Sequence, residues 1–332
     1  MKLASIETIT ERIYHPNADL LDLVKVLNWQ IITKRDEFKK GDKVVFIPID
    51  TILPRAPWSE FLADKKNPDA PIRLKTAKLR AFYSQGLVLP LSVLPENVRG
   101  WHEGADVGGA LGVKKYEKEI PAQLSGIALG AFPTYICAQT DEDNGLSNPE
   151  LVSEVLSNRW ITVTQKLDGS SCTIIIEDAK IKSVCSRRLE LKETDDNSFW
   201  KIARKLDLSI CGRGRYVIQG ELMGPGIQGN QLKLMEPELY VFQIKYNDEF
   251  YPYLDKVYAC RNIFRCNYVP HVENFNTQDE VITNEKLQNI ADAQVLPNGE
   301  PAEGIVVRTL EYKSAGNGRP LGFKIINRNF KD

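Results

Sequence analysis

From Leu3 to about Leu94 the chain alternates short apolar runs with turns. Lys43 to Ile49 is mostly apolar and follows the turn pair Gly41-Asp42, and Leu20 to Val26, Trp29 to Thr33 and Gly86 to Leu89 are further runs of strand length. Short strands at close spacing predict an all-β barrel or sandwich. Pro54, Pro57 and Pro71 bracket a stretch that reads as an irregular loop. From Pro95 to Asn148 the chain is rich in Gly, Pro and polar residues and reads as a connecting region. Beyond Leu151 strand runs return at Trp160 to Gln165, Cys172 to Glu177 and Arg215 to Gln219, with a helix expected around Asn197 to Leu206. The prediction is an α+β protein in two domains. A β-barrel domain with its connecting region spans 1–130, and a mixed domain spans 131–332.

Composition narrows the function classes. A chain of 332 residues suits two domains, and 42% hydrophobic with 26% charged residues excludes a disordered polymer. No run approaches the roughly 18 apolar residues of a membrane span, and the first residues lack the apolar core of a signal peptide. An intracellular protein with no membrane partner is therefore expected. The six cysteines form no Cys-x-x-Cys, which points away from zinc and from a disulfide framework. A net charge of −1 excludes coating of nucleic acid by bulk attraction and leaves local patches. The segment Arg73 to Arg80 is such a patch, with Arg73, Lys75, Lys78 and Arg80 as candidate nucleic-acid contacts. On a strand, Arg73 and Lys75 share one face while Ile72 and Leu74 fill the other. A solvated edge strand is an equally good reading of this segment taken alone.

The sharpest local signal is Lys166-Leu167-Asp168-Gly169, directly after a strand run. A Lys-x-Asp-Gly match is expected by chance in about one chain in ten at ordinary frequencies, so its weight comes from companions. Tyr216 to Leu222 is a strand carrying the carboxylate Glu221, and Tyr240 to Ile244 is a strand with alternating aromatics. Glu303-Gly304 opens another strand, and Lys324 lies within a last apolar strand, Leu321 to Ile326. Acids and lysines at strand ends are usually solvated, but five in this order form a constellation.

In these residues the chain resembles the covalent nucleotidyltransferase superfamily of DNA ligases, RNA ligases and mRNA capping enzymes. Lys166 to Gly169 match its nucleophile motif, Ser186-Arg187 the next, Glu221 the third, Phe242 its aromatic extension, Glu303-Gly304 the fourth and Lys324 the fifth. Asp42 to Asp50 and Ser84 to Pro90 look like the N-terminal OB-type domain of RNA ligases of the Deinococcus and Naegleria type. DNA ligases and capping enzymes carry a domain behind the fifth motif, whereas eight residues follow Lys324 here. The resemblance thus implies an OB-type β-barrel followed by a nucleotidyltransferase domain. It implies a monomeric, ATP-dependent RNA ligase joining 3′-hydroxyl and 5′-phosphate ends. The rival readings are a DNA ligase, a capping-type enzyme and a nucleic-acid-binding protein with an inactive transferase domain.

The same resemblance implies roles. Lys166 would carry AMP, with Gln165, Arg187, Glu221, Phe242, Glu303 and Lys324 around the nucleotide and Asp168 with Glu303 holding Mg²⁺ or Mn²⁺. Two departures stand out. The fifth motif commonly reads Lys-x-Lys, but Ile326 occupies the second position, leaving Arg328 or Lys331 as a substitute cation. Upstream of the nucleophile, Gln139-Thr140-Asp141-Glu142-Asp143-Asn144 stands where related ligases show Lys-Thr-Asp-Glu and then an Arg. Chemically, a lysine attacks phosphorus only when neutral, and at a pKa of about 10.4 only about one in a thousand is neutral near neutral pH. A neighbouring cation that lowers this pKa is therefore expected.

Overall fold

The expected strands of the N-terminal half form around one curved strand, Ser5–Tyr14 (β1). Its first residues, Ser5 to Thr8, pair with Lys43–Ile47 (β4), and Ile9 to Tyr14 pair with Leu21–Val26 (β2), the register shifting between Ile9 and Glu11. A bulge of this kind bends a strand so that one element serves two parts of a barrel. With Trp29–Lys34 (β3) and Leu87–Pro90 (β9) the sheet order is β3-β2-β1-β4-β9. Val44 and Phe46 enter a core with Ile9, Val24 and Trp29, while Val45 and Ile47 enter another with Ala4, Ile6 and Leu89. From Val44 to Ile47 both faces of β4 are buried, which is why these four residues are all apolar.

The computed structural model describes residues 2–65, 67, 69–98, 101–116, 126–209, 211–315 and 318–331. The chain divides into two compact units, Met1–Glu119 with Gly145–Pro149, and Ile120–Asn144 with Glu150–Asp332. The stretch from Pro95 onward is therefore more than a connection. Val98, Val107, Leu111 and Val113 belong to the Ala4–Ile6 core, and a side chain at Gly108 would lie 3.1 Å from the Leu3 Cβ. Apolar residues spaced irregularly among glycines carry no period, so pattern alone missed them. Leu146 joins the other core, and Trp29 Nε1 donates to Ser147 Oγ at 3.1 Å.

The basic segment is also not one strand. Ile72–Leu74 (β6) pairs with Thr51–Leu53 (β5), which also pairs with Lys114–Lys115 (β10). Lys75 lies past the end of β6, and Ala77–Leu79 (β7) forms a hairpin with Phe82–Ser84 (β8) through Arg80 and Ala81, both at positive φ. Arg73 and Lys75 therefore do not share a strand face.

The second unit has two antiparallel sheets. The larger runs Ala128–Ala131 (β11), Leu189–Leu191 (β15), Lys180–Cys185 (β14), Ser170–Glu177 (β13), Arg215–Met223 (β16), Glu238–Tyr246 (β17), Glu249–Phe250 (β18), with Asn267–Tyr268 (β19) added beside β17. The smaller runs His271–Asn276 (β20), Trp160–Lys166 (β12), Gly304–Thr309 (β21), Gly322–Ile326 (β22). The expected helix is Ser198–Arg204, capped where Asn197 Oδ1 accepts from the Phe199 N–H at 2.9 Å. Helices Pro149–Leu156, Tyr253–Ala259 and Asn284–Asp292 were not expected. No helix among the described residues is long and apolar enough to cross a membrane.

Period-two alternation decides what these sheets leave uncovered. In the smaller sheet Ile161, Val163, Ile305, Val307, Phe323 and Ile325 pack beneath the helices Pro149–Leu156 and Asn284–Asp292. Lys166, Val306, Arg308 and Lys324 consequently share the opposite face. In the larger sheet Cys172, Ile174, Ile218 and Leu222 pack against Phe199, Trp200 and Ala203 of the capped helix. That turns Gln219, Glu221 and Met223 the other way.

Leu111→Ala tests the reassigned core. Truncating a buried leucine should cost about 2–4 kcal/mol in urea unfolding, whereas a change within about 0.5 kcal/mol would return this stretch to the status of a linker.

Candidate active site

Lys166 ends β12 and is paired with Gly304 across the ladder, which places Glu303 beside it. Lys166 Nζ donates to Glu303 Oε2 at 2.5 Å. Both side chains are largely covered, at 21% and 16% exposure. Gly304 has φ +150°, and a Cβ there would lie 2.1 Å from the Ile325 carbonyl oxygen. Only glycine lets β21 approach β22 so closely, which accounts for the Glu-Gly pair.

The turn after Lys166 is equally constrained. A Cβ on Gly169 would meet Met223 Sδ at 2.4 Å and the Leu222 carbonyl at 2.5 Å. The close approach lets the Gly169 N–H donate to Glu221 Oε1 at 3.0 Å. Asp168 Oδ2 accepts from Gln231 Nε2 at 3.2 Å, and Gln165 Nε2 donates to the Val295 carbonyl at 3.1 Å. The Lys-x-Asp-Gly spacing thus joins a strand-end amine to a backbone crossing under the carboxylate of the next sheet.

The segment upstream of the nucleophile supplies acids to which the sequence alone assigns no role. Glu142 is ion-paired with Arg308, which is 2% exposed. Asp141 accepts from Arg187 Nη2 at 2.9 Å through one oxygen and lies 3.5 Å from Lys324 Nζ through the other. The Lys324 N–H donates to the Asp143 carbonyl at 2.9 Å, fixing this segment along β22. Arg187 and Lys324, far apart in sequence, are therefore joined through Asp141. Of the two substitutes for the second lysine of the fifth motif, Arg328 is held on Asp292 through its Nε at 2.7 Å, and Lys331 is exposed.

The electrostatics of the cluster are lopsided. Burial disfavours a charged amine at Lys166, but Glu303, Glu221 and Glu142 outweigh it and hold Lys166 above the ordinary lysine range. A lysine poised to attack needs the reverse, a lowered pKa, and the cause of the difference is that the protein's own neighbours are acids. Burial pushes Glu221 up to about 8, Glu303 and Asp168 adding to it against Lys166 and the Gly169 N–H. Burial also raises Glu142, but Arg308, Lys166 and Lys324 reverse this and leave it below the ordinary carboxylate range. This acidic surplus suits a divalent cation. Among the described residues no three His, Cys, Asp or Glu side chains converge as a ligand set.

Phe242 of β17 lies at an apolar cluster of Leu167, Met223, Val269, Leu296 and Ala302. In the other unit, Arg73 is engaged, with Nη2 2.9 Å from Asp50 and its guanidinium 3.5 Å over the Tyr116 ring. Lys75, Lys78 and Arg80 are exposed, Lys78 lying 4.9 Å over the Tyr83 ring.

Comparisons with known proteins bear on the two domains and the family. An OB-fold domain model matches residues 3–91, and an RNA ligase model matches residues 159–326. Among solved structures the chain is similar to Naegleria gruberi RNA ligase with PPi, at 31% identity and TM-score 0.83, covering 98% of this chain and 97% of that chain. A lysine-to-alanine variant of that ligase with ATP and Mn matches with the same identity, coverage and score. So does a glutamate-to-alanine variant with AMP and Mn. Among curated protein sequences none matches.

The buried pair gives a stability prediction. Glu142→Ala strands the Arg308 charge and should cost about 3 kcal/mol in denaturant unfolding. Glu142→Leu combined with Arg308→Met should cost much less, because neither charge is left buried alone. Equal losses in the single and double variants would contradict the pairing.

Proposed function

The chain belongs to the RNA ligase family, and from that membership we propose that it seals RNA 3′-hydroxyl and 5′-phosphate ends with ATP, carrying AMP on Lys166. The observation that supports this most directly is the half-buried Lys166 amine among Glu303, Glu221 and Glu142. It stands in a chain alike along 98% of its length to a ligase solved with ATP and Mn.

Lys166 Nζ, once deprotonated, attacks the α-phosphorus of ATP. An N–P bond forms, the bond to the bridging oxygen breaks, and pyrophosphate leaves. AMP then passes to an oxygen of the RNA 5′-phosphate, and the 3′-hydroxyl displaces AMP to close the strand. Asp168 and Glu303 would offer hard oxygen donors to Mg²⁺ or Mn²⁺, and such a cation would disfavour the ammonium form of Lys166 and offset the charge of the triphosphate. Phe242 presents a ring to the purine, Glu221 and Arg187 hydrogen-bond the ribose, and Lys324 pairs with the α-phosphate. Gln165 completes the nucleotide pocket. Positioning and electrostatics supply most of the rate in phosphoryl transfer, and each of these groups serves one or the other. Lys75, Lys78 and Arg80 grip the RNA backbone. Arg73 is part of the same patch, but its pairing with Asp50 reduces its share.

Lys166→Ala should abolish covalent labelling by ATP, and Lys166→Arg should fail as well, because a guanidinium stays protonated. Mass spectrometry for an AMP adduct reads both, and a retained adduct in either variant would sink the reading. Asp168→Asn and Glu303→Gln should each slow adenylation strongly, with partial recovery at raised Mn²⁺.

The patch is tested separately. Replacing Lys75, Lys78 and Arg80 with alanine should weaken RNA binding and flatten its salt dependence by roughly 0.7–0.9 in slope for each phosphate no longer neutralised. Lysyl-AMP formation should be unaffected. An unchanged salt slope would remove the patch from the interface.

A further inference from the structure

One residue of the nucleotide pocket interrupts its own strand. Along β16 and β17, Gln219 faces Gln243 and Gly220 faces Val241, so Phe242 is the extra residue of a β-bulge. The core confirms the slip: Val241 and Ile244, three apart, both pack beneath the capped helix, where unbroken alternation would place residues two apart. Phe242 and Gln243 consequently both face away from that helix. A bulge re-aims a side chain and takes a residue out of the ladder, so the Phe242 carbonyl needs partners from elsewhere.

It finds two, both near the end of the other sheet. Arg308 Nη1 and the Tyr312 hydroxyl each donate to the Phe242 carbonyl at 3.3 Å. The Arg308 guanidinium also lies 5.4 Å from the Phe242 ring centre. Tyr312 is 2% exposed and adopts a left-handed backbone at φ +51°, a conformation rare for a bulky residue. Its direction is set in turn by Lys256, which is wholly buried and donates from Nζ to the Tyr312 hydroxyl oxygen at 3.2 Å. A phenol has one hydrogen. With its oxygen accepting from an ammonium, that hydrogen is turned toward the Phe242 carbonyl. Among the described residues no carboxylate is ion-paired with Lys256, whose Nζ sits instead 4.8 Å over the Tyr253 ring. A buried ammonium without a counter-ion is costly, and the Tyr312 hydroxyl is its one hydrogen-bond partner among the described residues.

We propose that Arg308, Tyr312 and Lys256 are positioning residues that hold the β17 bulge and so set the pose of Phe242 against the base of ATP. This rests on the reading that Phe242 takes the purine. Among the described residues Tyr312 and Lys256 make no hydrogen bond or ion pair with Lys166, Glu303, Glu221 or Glu142, so through Phe242 they govern how tightly ATP is held rather than how fast the bound nucleotide reacts.

The experiment measures lysyl-AMP formation by the full-length protein against ATP concentration, in Tyr312→Phe, Lys256→Met, Phe242→Ala and the double variant Tyr312→Phe with Phe242→Ala. Tyr312→Phe keeps the ring and removes the hydroxyl, both the donor to the Phe242 carbonyl and the acceptor for Lys256, and a thermal melt verifies that each variant is folded. The expected result is a rise in half-saturating ATP of about five- to tenfold for Tyr312→Phe, the scale of one hydrogen bond removed, with the maximal rate within about twofold. Lys256→Met should move in the same direction. The double variant should bind ATP no worse than Phe242→Ala alone, because the network acts through that ring. If Phe242→Ala weakens ATP but Tyr312→Phe and Lys256→Met do not, the purine reading survives and the network proposal falls. The proposal also falls if Tyr312→Phe weakens ATP equally in the Phe242→Ala background. If Phe242→Ala leaves half-saturation unchanged, the purine reading itself falls and takes the proposal with it.

Discussion

One ammonium among acids organises the second unit. Glu303 precedes β21, Glu221 sits on β16 in the other sheet, and Glu142 comes from the segment before Gly145, yet all three act on Lys166. The large apolar clusters lie on the outer faces of the two sheets, beneath helices. What the sheets turn inward combines smaller apolar clusters, one of them at Phe242 and Met223, with the charged groups around Lys166, and those charges set the geometry at the amine. That division has a functional sense. A site assembled from hydrophobic packing would gain nothing from a triphosphate, whereas one with an acidic surplus is completed by a divalent cation and re-balanced when nucleotide enters.

The glycines show how literally the backbone enforces this. Gly169 and Gly304 stand where an added Cβ would strike the Leu222 and Ile325 carbonyls. Each follows or precedes a reacting or charged residue by a few positions. They are motif residues because the two acids reach Lys166 only if the chains pass at distances that no other residue allows.

Much of this was legible in the sequence. Strand positions around Trp160, Cys172 and Arg215 followed from local apolar runs, whereas Lys166, Glu221, Glu303 and Lys324 followed from the resemblance of their motifs, in order, to those of a known family. The capped helix at Ser198 declared itself through Asn197. What stayed hidden was set by tertiary packing. Val98 to Val113 reads as a linker because its apolar residues have no period, although four of them are core. Asp141 and Glu142 looked like a departure from a pattern, since nothing local reveals that Arg187, Lys324 and Arg308 converge on them. The bulge at Phe242 is invisible for a related reason: an alternating run does not disclose where its partner strand slips by one residue.

The incomplete fifth motif has a physical counterpart in these ion pairs. Arg328 is bound to Asp292 and is poorly placed to stand in for a second lysine. Lys324 instead shares its acids with other cations: Asp141 with Arg187, and Glu142 with Arg308 and Lys166. On the ligase reading, a nucleotide that brings its α-phosphate to Lys324 and its ribose to Arg187 competes with Asp141 for both side chains. Asp141 is a carboxylate with a single charge, and a nucleotide with several would prevail. The same two cations would then meet the nucleotide together, Lys324 at the α-phosphate and Arg187 at the ribose, without a Lys-x-Lys on β22. A side chain at position 326 is thereby released from a charge requirement, and Ile326, half-buried on that strand, is the kind of residue such a release permits.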